Sequence, residues 1–244
     1  MGQTGSKWRA GQLAFYDKAT HETVKPLAPT ILYDDFLGTA LNGDLWTAID
    51  TGTGAVTQAA SNMILTTNVN GATDENGVYA KDDKAWNADK GFIFETRLKM
   101  TVAPTIGAEI MIGVQNDSWG AGSNRILNAD ECSIYAAFGF YATLGAGLVA
   151  AVRTDDNTAH ASGIVSTGVT SVVGTYQVFR IDFTNVADVK FYIDGVGVCP
   201  TTTFNMSDGA NVMFQPIVVV QKNGVDAGLG IAYLDYIRMW QATR

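Results

Sequence analysis

The sequence predicts an all-β fold: antiparallel sheets stacked as a two-layer sandwich. Three observations carry that prediction. Residues 176–195 read Tyr-Gln-Val-Phe-Arg-Ile-Asp-Phe, a five-residue polar link, then Val-Lys-Phe-Tyr-Ile-Asp-Gly, and both runs alternate with period two. That is the periodicity of a strand, not of a helix. Residues 91–100, Gly-Phe-Ile-Phe-Glu-Thr-Arg-Leu-Lys-Met, alternate in the same way. Finally, 26 glycines and 5 prolines punctuate short apolar runs, which suits many turns and few helices.

Composition narrows the class. A 244-residue chain that is 47 % hydrophobic and 16 % charged can bury one large core and is not disordered. No apolar run approaches the roughly 20 residues of a membrane helix. No hydrophobic segment follows the positive charges at the N-terminus, so no signal peptide is expected. The formal charge of −8 disfavours contact with phosphate backbones, so nucleic acid is not an expected partner. Cys132 and Cys199 are too few for a disulfide framework. Set among apolar residues, they read as buried free thiols, with a mutual bridge as the alternative.

Residues 1–30 form an N-terminal arm or hairpin. Gln12–Asp17 alternates, Asp17–Thr20 reads as a turn, and Glu22–Lys25 returns as a second short strand before Pro26 and Pro29 interrupt. A lone hairpin buries too little to be stable, so the arm packs either on its own domain or on a partner. Residues 31–244 form the sandwich. Asn42-Gly43 marks a turn and Trp46 anchors the core; Ser61–Thr67 is the next strand. In 91–100, Phe92, Phe94, Thr96, Leu98 and Met100 point inward, and Glu95, Arg97 and Lys99 outward. Ile110, Ile112 and Val114 repeat the pattern against Glu109 and Gln115. Ser133–Tyr141 and Leu148–Arg153 are strands whose small residues suit close sheet packing. Phe214–Gln221 is apolar on both faces, hence central and covered on both sides, with Pro216 pointing to a strand start or a bulge. In 176–195, Phe179, Ile181, Phe183, Val189, Phe191 and Ile193 make the oily face, and Asp194-Gly195 the turn.

The opening Asp34-Asp35-Phe36, Leu41-Asn42 and Leu45-Trp46, the later Phe191–Gly195 strand and turn, and the closing Leu234–Trp240 together resemble the concanavalin A-like lectin/glucanase (laminin-G-like) superfamily over about residues 32–241. The resemblance implies a jelly-roll sandwich of two curved antiparallel sheets. It also implies a test for glycoside hydrolysis, which needs two carboxyl groups facing one sugar. The glucanases of the superfamily carry Glu-x-Asp-x-Glu, or that pattern with one insertion, on one strand, and nothing here matches. Glu95 is followed at i+2 by Arg97, and Glu109 by Met111. Asp130 and Glu131 are adjacent, and Asp182 sits beside Arg180 in an expected ion pair. The expectation is therefore a protein that is not an enzyme. His21 and His160 exclude a multi-histidine metal centre, and no cofactor is expected. Calcium stays open through Asp34-Asp35, Asp82-Asp83 and Asp155-Asp156-Asn157, although none has an ordered ligand spacing.

A glycan site needs exposed rings with amides and charged groups beside them. The Gly-rich Asn116–Arg125 stretch supplies Trp119, Asn124 and Arg125, with Tyr135, Tyr141 and Tyr192 as neighbours on a concave face. The competing role for Trp119 is to cap the core edge. The segment Trp8–Asp17 is also similar to the N-terminal segments of phage structural proteins. That resemblance implies a virion structural role: a bacteriophage capsid decoration or cement protein on the capsid surface. It would be held to the major capsid protein by Trp8, Leu13, Phe15, Tyr16 and Val24, and to itself as a homo-oligomer, typically a trimer. The alternative is a lectin-like carbohydrate-binding module, and the third reading a degenerate glycoside hydrolase.

Overall fold

The computed structural model describes residues 4–9, 12–17, 23–24, 30–67, 74–81, 84–102, 108–116, 134–140, 147–153, 164–170, 172–209, 212–222 and 230–241. The all-β prediction holds. Three strands come first: β1 (Thr4–Arg9), β2 (Gln12–Asp17) and β3 (Thr23–Val24). Then follow β4 (Thr30–Asp34), β5 (Thr47–Thr51), β6 (Ala55–Ala59), β7 (Asn62–Thr66), β8 (Glu75–Tyr79), β9 (Trp86–Asn87), β10 (Phe92–Val102) and β11 (Ala108–Gln115). The chain continues with β12 (Tyr135–Phe140), β13 (Gly147–Arg153), β14 (Ile164–Thr170), β15 (Gln177–Asp182), β16 (Lys190–Ile193) and β17 (Val196–Val198). It closes with β18 (Met213–Lys222) and β19 (Ile231–Gln241).

Strands β1-β2-β3 make a small sheet of their own that, among the described residues, pairs with neither layer of the sandwich. Its backbone register pairs Trp8 with Leu13, Phe15 with both Ser6 and Val24, and Tyr16 with both Gly5 and Thr23. The sandwich itself has two eight-stranded sheets. Sheet I runs β17-β16-β15-β10-β19-β7-β6, with β4 also paired to β19; sheet II runs β14-β13-β12-β11-β18-β8-β5, with β9 also paired to β18.

Alternation builds the core directly. Phe92, Phe94, Leu98 and Met100 from β10 and Phe179, Ile181, Phe191 and Ile193 from β15 and β16 are buried against Ile110, Ile112 and Val114 of β11 and Phe138 of β12. Phe138 meets Phe179 and Phe191 edge-on at ring distances of 5.3 and 5.1 Å, the preferred geometry for aromatic pairs. The β15–β16 hairpin forms as expected, and β16 turns into β17 through Asp194 and Gly195 at φ 51° and 79°. Two positive φ values are what a two-residue hairpin turn of matching twist requires. Trp46 is buried against Phe36 and donates its Nε1–H to Asp34 Oδ2 at 2.7 Å.

Strand β18 is central and buried on both faces, as its composition predicts. Pro216 is neither at its start nor in a bulge. It faces Val114 at the point where the other neighbour of β18 changes from β9 to β8, so its missing N–H falls at a break in the pairing. Beyond β18, the outer face of sheet II is itself an apolar layer: Ile49, Tyr79, Met111, Tyr135, Val149, Ile217 and Val219 are all buried there.

Candidate functional site

The outer face of sheet I is built differently. Cross-strand register lines up Tyr33, Arg238, Glu95, Arg180 and Tyr192 in one row over β4, β19, β10, β15 and β16. The next row reads Ile31, Trp240, Ile93, Asp182 and Lys190. On the other side, Arg97 faces Tyr236, and Lys99 faces Tyr233. A β-bulge makes this possible. Arg97 pairs with Tyr236 while Leu98 pairs with Leu234, which leaves Asp235 as the extra residue. The inserted residue resets the alternation, so Tyr233 and Tyr236, three apart in sequence, both come out on the outer face.

Rings and cations interleave across this face. The Arg238 guanidinium lies 4.9 Å from the Trp240 ring centre and 5.6 Å from that of Tyr236. Arg180 lies 5.3 Å from Tyr192, and Arg97 4.4 Å from Tyr176. Glu95 is the hub: its Oε1 accepts from the Tyr236 hydroxyl at 2.6 Å and pairs with Arg238 Nη2 at 2.6 Å. Burial, then the hydrogen bond to Glu95 and the charge of that carboxylate, raise the Tyr236 hydroxyl pKa well above its ordinary value. The expected Arg180–Asp182 ion pair is present at 2.7 Å.

At the edge of this face a polar cleft of about 220 Å³ opens among Tyr33, Asp34, Asp35, Leu37, Asn42, Leu45 and Gln58. Tyr33 belongs to both features: it is 54 % exposed, lines the cleft and lies 6.3 Å ring to ring from Tyr236. Asp34 is committed to structure, because Oδ1 accepts from Phe36 N and Oδ2 from Trp46 Nε1. Gln58 donates Nε2–H to Phe36 O, and Asn42 Oδ1 accepts from Asp44 N. Asp35, Gln58 and Asn42 line the cleft, and the Asp35 carboxylate, the Gln58 carbonyl and the Asn42 amide N–H groups make no further hydrogen bond among the described residues. A larger cleft of about 390 Å³, lined by Leu41, Val56 and Met63 among others, adjoins it through Ala40 and Gln58.

Several expectations change. Tyr135 and Tyr192 do not share a concave face: Tyr135 is fully buried in the outer apolar layer of sheet II, and Tyr192 is on the outer face of sheet I. Alternation along a strand does not say which sheet the strand joins. Trp119, Asn124 and Arg125 lie outside the described residues, as do Tyr141, Cys132, Asp82-Asp83 and Asp155-Asp156-Asn157. Cys199 is buried with a free thiol, its pKa raised by desolvation. Among the described residues no three His, Cys, Asp or Glu side chains gather closely enough to hold a metal ion.

Two carboxylate residues do share a row across strands, where alternation along a single strand does not place them. Glu109, Gln221 and Glu75 form a row on the outer face of sheet II, with Gln221 Nε2–H donating to Glu75 Oε1 at 3.4 Å. Two strand spacings put the Glu109 and Glu75 backbones about 10 Å apart. Burial pushes the Glu109 pKa up to about 7.

No family model and no curated protein matches this chain. Solved structures do. A structure from work on endo-acting O-glycanases that human gut microbiota use to initiate mucin breakdown shares 14 % identity at a TM-score of 0.61, over 86 % of this chain and 98 % of that one. The LamA catalytic domain from Zobellia galactanivorans shares 13 % at 0.59, over 86 % and 96 %. The carbohydrate recognition domain of Emp47p shares 10 % at 0.60, over 86 % and 94 %. The expectation of a protein without enzymatic activity is corrected by these structures: glycanases and glucanases are built on the same sandwich, and the fold is consistent with an enzyme. None of these structures is a virion protein, and the capsid role gains no support from them. The chain has the concanavalin A-like lectin/glucanase jelly-roll fold, in the two-sheet form that its opening, hairpin and closing segments imply.

Proposed function

We propose that this protein binds carbohydrate, in the manner of a lectin, along the outer face of sheet I and its edge cleft. One observation carries the reading: Tyr33 joins a polar cleft holding Asp35, Asn42 and Gln58 to a platform that continues through Tyr236 and Trp240. Saccharides present apolar C–H faces that stack on rings and hydroxyls that bond to carboxylates and amides, and this surface offers both side by side. The carbohydrate chemistry of the similar structures supports it. This reading replaces the capsid-decoration expectation. A glycan array followed by calorimetry on the hits tests it. Tyr33→Ala and Trp240→Ala should each weaken binding by about tenfold or more with an unchanged circular dichroism spectrum. Binding that is indifferent to both substitutions, or no glycan bound at all, would overturn it.

A second reading has its own observation. Glu109, with a pKa near 7, has the protonation state of a general acid and shares a row with Glu75. Under this reading the protein hydrolyses a glycan at the Glu109 end of that row, where Glu109 is only partly buried. Reducing-end release from a polysaccharide panel, abolished by Glu109→Gln, is the outcome that would establish it.

A further inference from the structure

Of the cations on the outer face of sheet I, four have a carboxylate to themselves. Arg97 pairs with Asp235, Arg180 with Asp182, Lys190 with Asp188 and Arg238 with Glu95, all at 2.6–2.7 Å. Lys99 is the exception. Its ammonium meets no carboxylate among the described residues and instead lies 4.8 Å from the Tyr176 ring centre and 5.0 Å from that of Tyr233. The cradle is fixed from beneath. Tyr176 donates its hydroxyl to Asn62 Oδ1 at 2.6 Å, and Tyr233 sits directly opposite Lys99 in the β10–β19 register. Two rings hold the ammonium in place through cation–π attraction without neutralising it, so its charge stays available to a third group. In a chain of formal charge −8, this is the position on the face where positive charge is left over.

We infer that Lys99, between Tyr176 and Tyr233, is an anion-reading subsite, and that the glycan bound here is acidic, carrying a uronate carboxylate or a sulfate ester. The inference rests on the carbohydrate-binding reading above and adds the class of ligand to it. A neutral saccharide would use the rings and leave the ammonium unanswered. An acidic one places its anion on Lys99, where a charge-assisted contact beside aromatic walls is stronger than the same contact in open water. The matched ion pairs elsewhere on the face offer an anion no net attraction, so the preference is concentrated at one residue.

Calorimetry on the full chain with three probes tests this: oligogalacturonate for the carboxylate, a sulfated galactan for the ester, and laminarin as the neutral control. At low salt the wild type should bind one of the acidic probes about tenfold more tightly than laminarin, and that margin should shrink as salt is added. Lys99→Met, which keeps the apolar stem over both rings, should erase the margin while leaving laminarin binding unchanged. Lys99→Arg should retain most of it. Lys190→Met, at a cation already matched by Asp188, should leave the margin intact. Equal affinity for neutral and acidic probes, or a margin that survives Lys99→Met or falls equally in Lys190→Met, would overturn the inference while leaving carbohydrate binding standing. Failure of all three probes and of the array would remove both.

Discussion

Glu95 holds the platform together, and its removal can be worked through in energy. The carboxylate is only 9 % exposed, accepts the Tyr236 hydroxyl and pairs with Arg238, both at 2.6 Å. A hydrogen bond to a charged acceptor contributes about 1.5–3 kcal/mol. The Arg238 end is 44 % exposed, so solvent screening limits the ion pair to under about 1 kcal/mol. Glu95→Ala should therefore destabilise the fold by about 3 kcal/mol, which for a domain of this size lowers Tm by about 6–12 °C. Tyr236→Phe alone should cost about 1.5 kcal/mol, and the double variant should cost less than the sum by about the same amount, because the two share one bond. Urea denaturation of the wild type, both single variants and the double variant gives the cycle. A coupling near zero would show that the Tyr236–Glu95 contact contributes nothing, and the account of how the platform is held would be wrong.

Two further perturbations probe other parts of the molecule. The folded-state pKa of Glu109 is raised from 4.5 to about 7, so in that window the folded state holds a proton that the unfolded state has released. Its contribution is present below pH 4.5 and lost as pH rises to 7, so Glu109→Gln should match the wild type near pH 4 and exceed it near pH 8 by on the order of 1–3 kcal/mol; parallel stability curves across that range would refute the assignment. Phe138 reaches from sheet II to touch Phe179 and Phe191, and Phe138→Ala should cost about 3–5 kcal/mol in chemical denaturation, a loss under 1 kcal/mol being incompatible with an interlocked core.

Much of the sandwich is legible in single strands. The faces of β10, the β15–β16 hairpin, the Asp194-Gly195 turn from β16 into β17, and the double burial of β18 all follow from local signals, because side-chain direction in a strand is a local property. The candidate site is less legible because it is assembled across strands. Tyr33, Arg238, Glu95, Arg180 and Tyr192 come from five separate stretches, and only the register brings them into one row. The same limit explains the search for paired acids along one strand, which passes over Glu75 and Glu109 on either side of Gln221. It explains the grouping of Tyr135 with Tyr192 as well: each is outward on its own strand, but the strands belong to opposite layers. Strand β1 is not legible in this way, since Thr4–Arg9 has no apolar alternation; it is defined by pairing with β2.

The supernumerary Asp235 has a consequence for how this protein tolerates change in length. In a pleated strand every residue fixes the parity of all that follow, so a deletion normally turns the downstream chain inside out. At its bulge, strand β19 already carries one residue more than the stretch of β10 opposite it. Removing Asp235 would cost Arg97 its counter-ion yet return the ladder to even step, with Ile237 and Met239 still inward and Arg238 and Trp240 still outward. The last strand thus contains its own slack, a single place where the chain can be shortened without exchanging its wet side for its dry one.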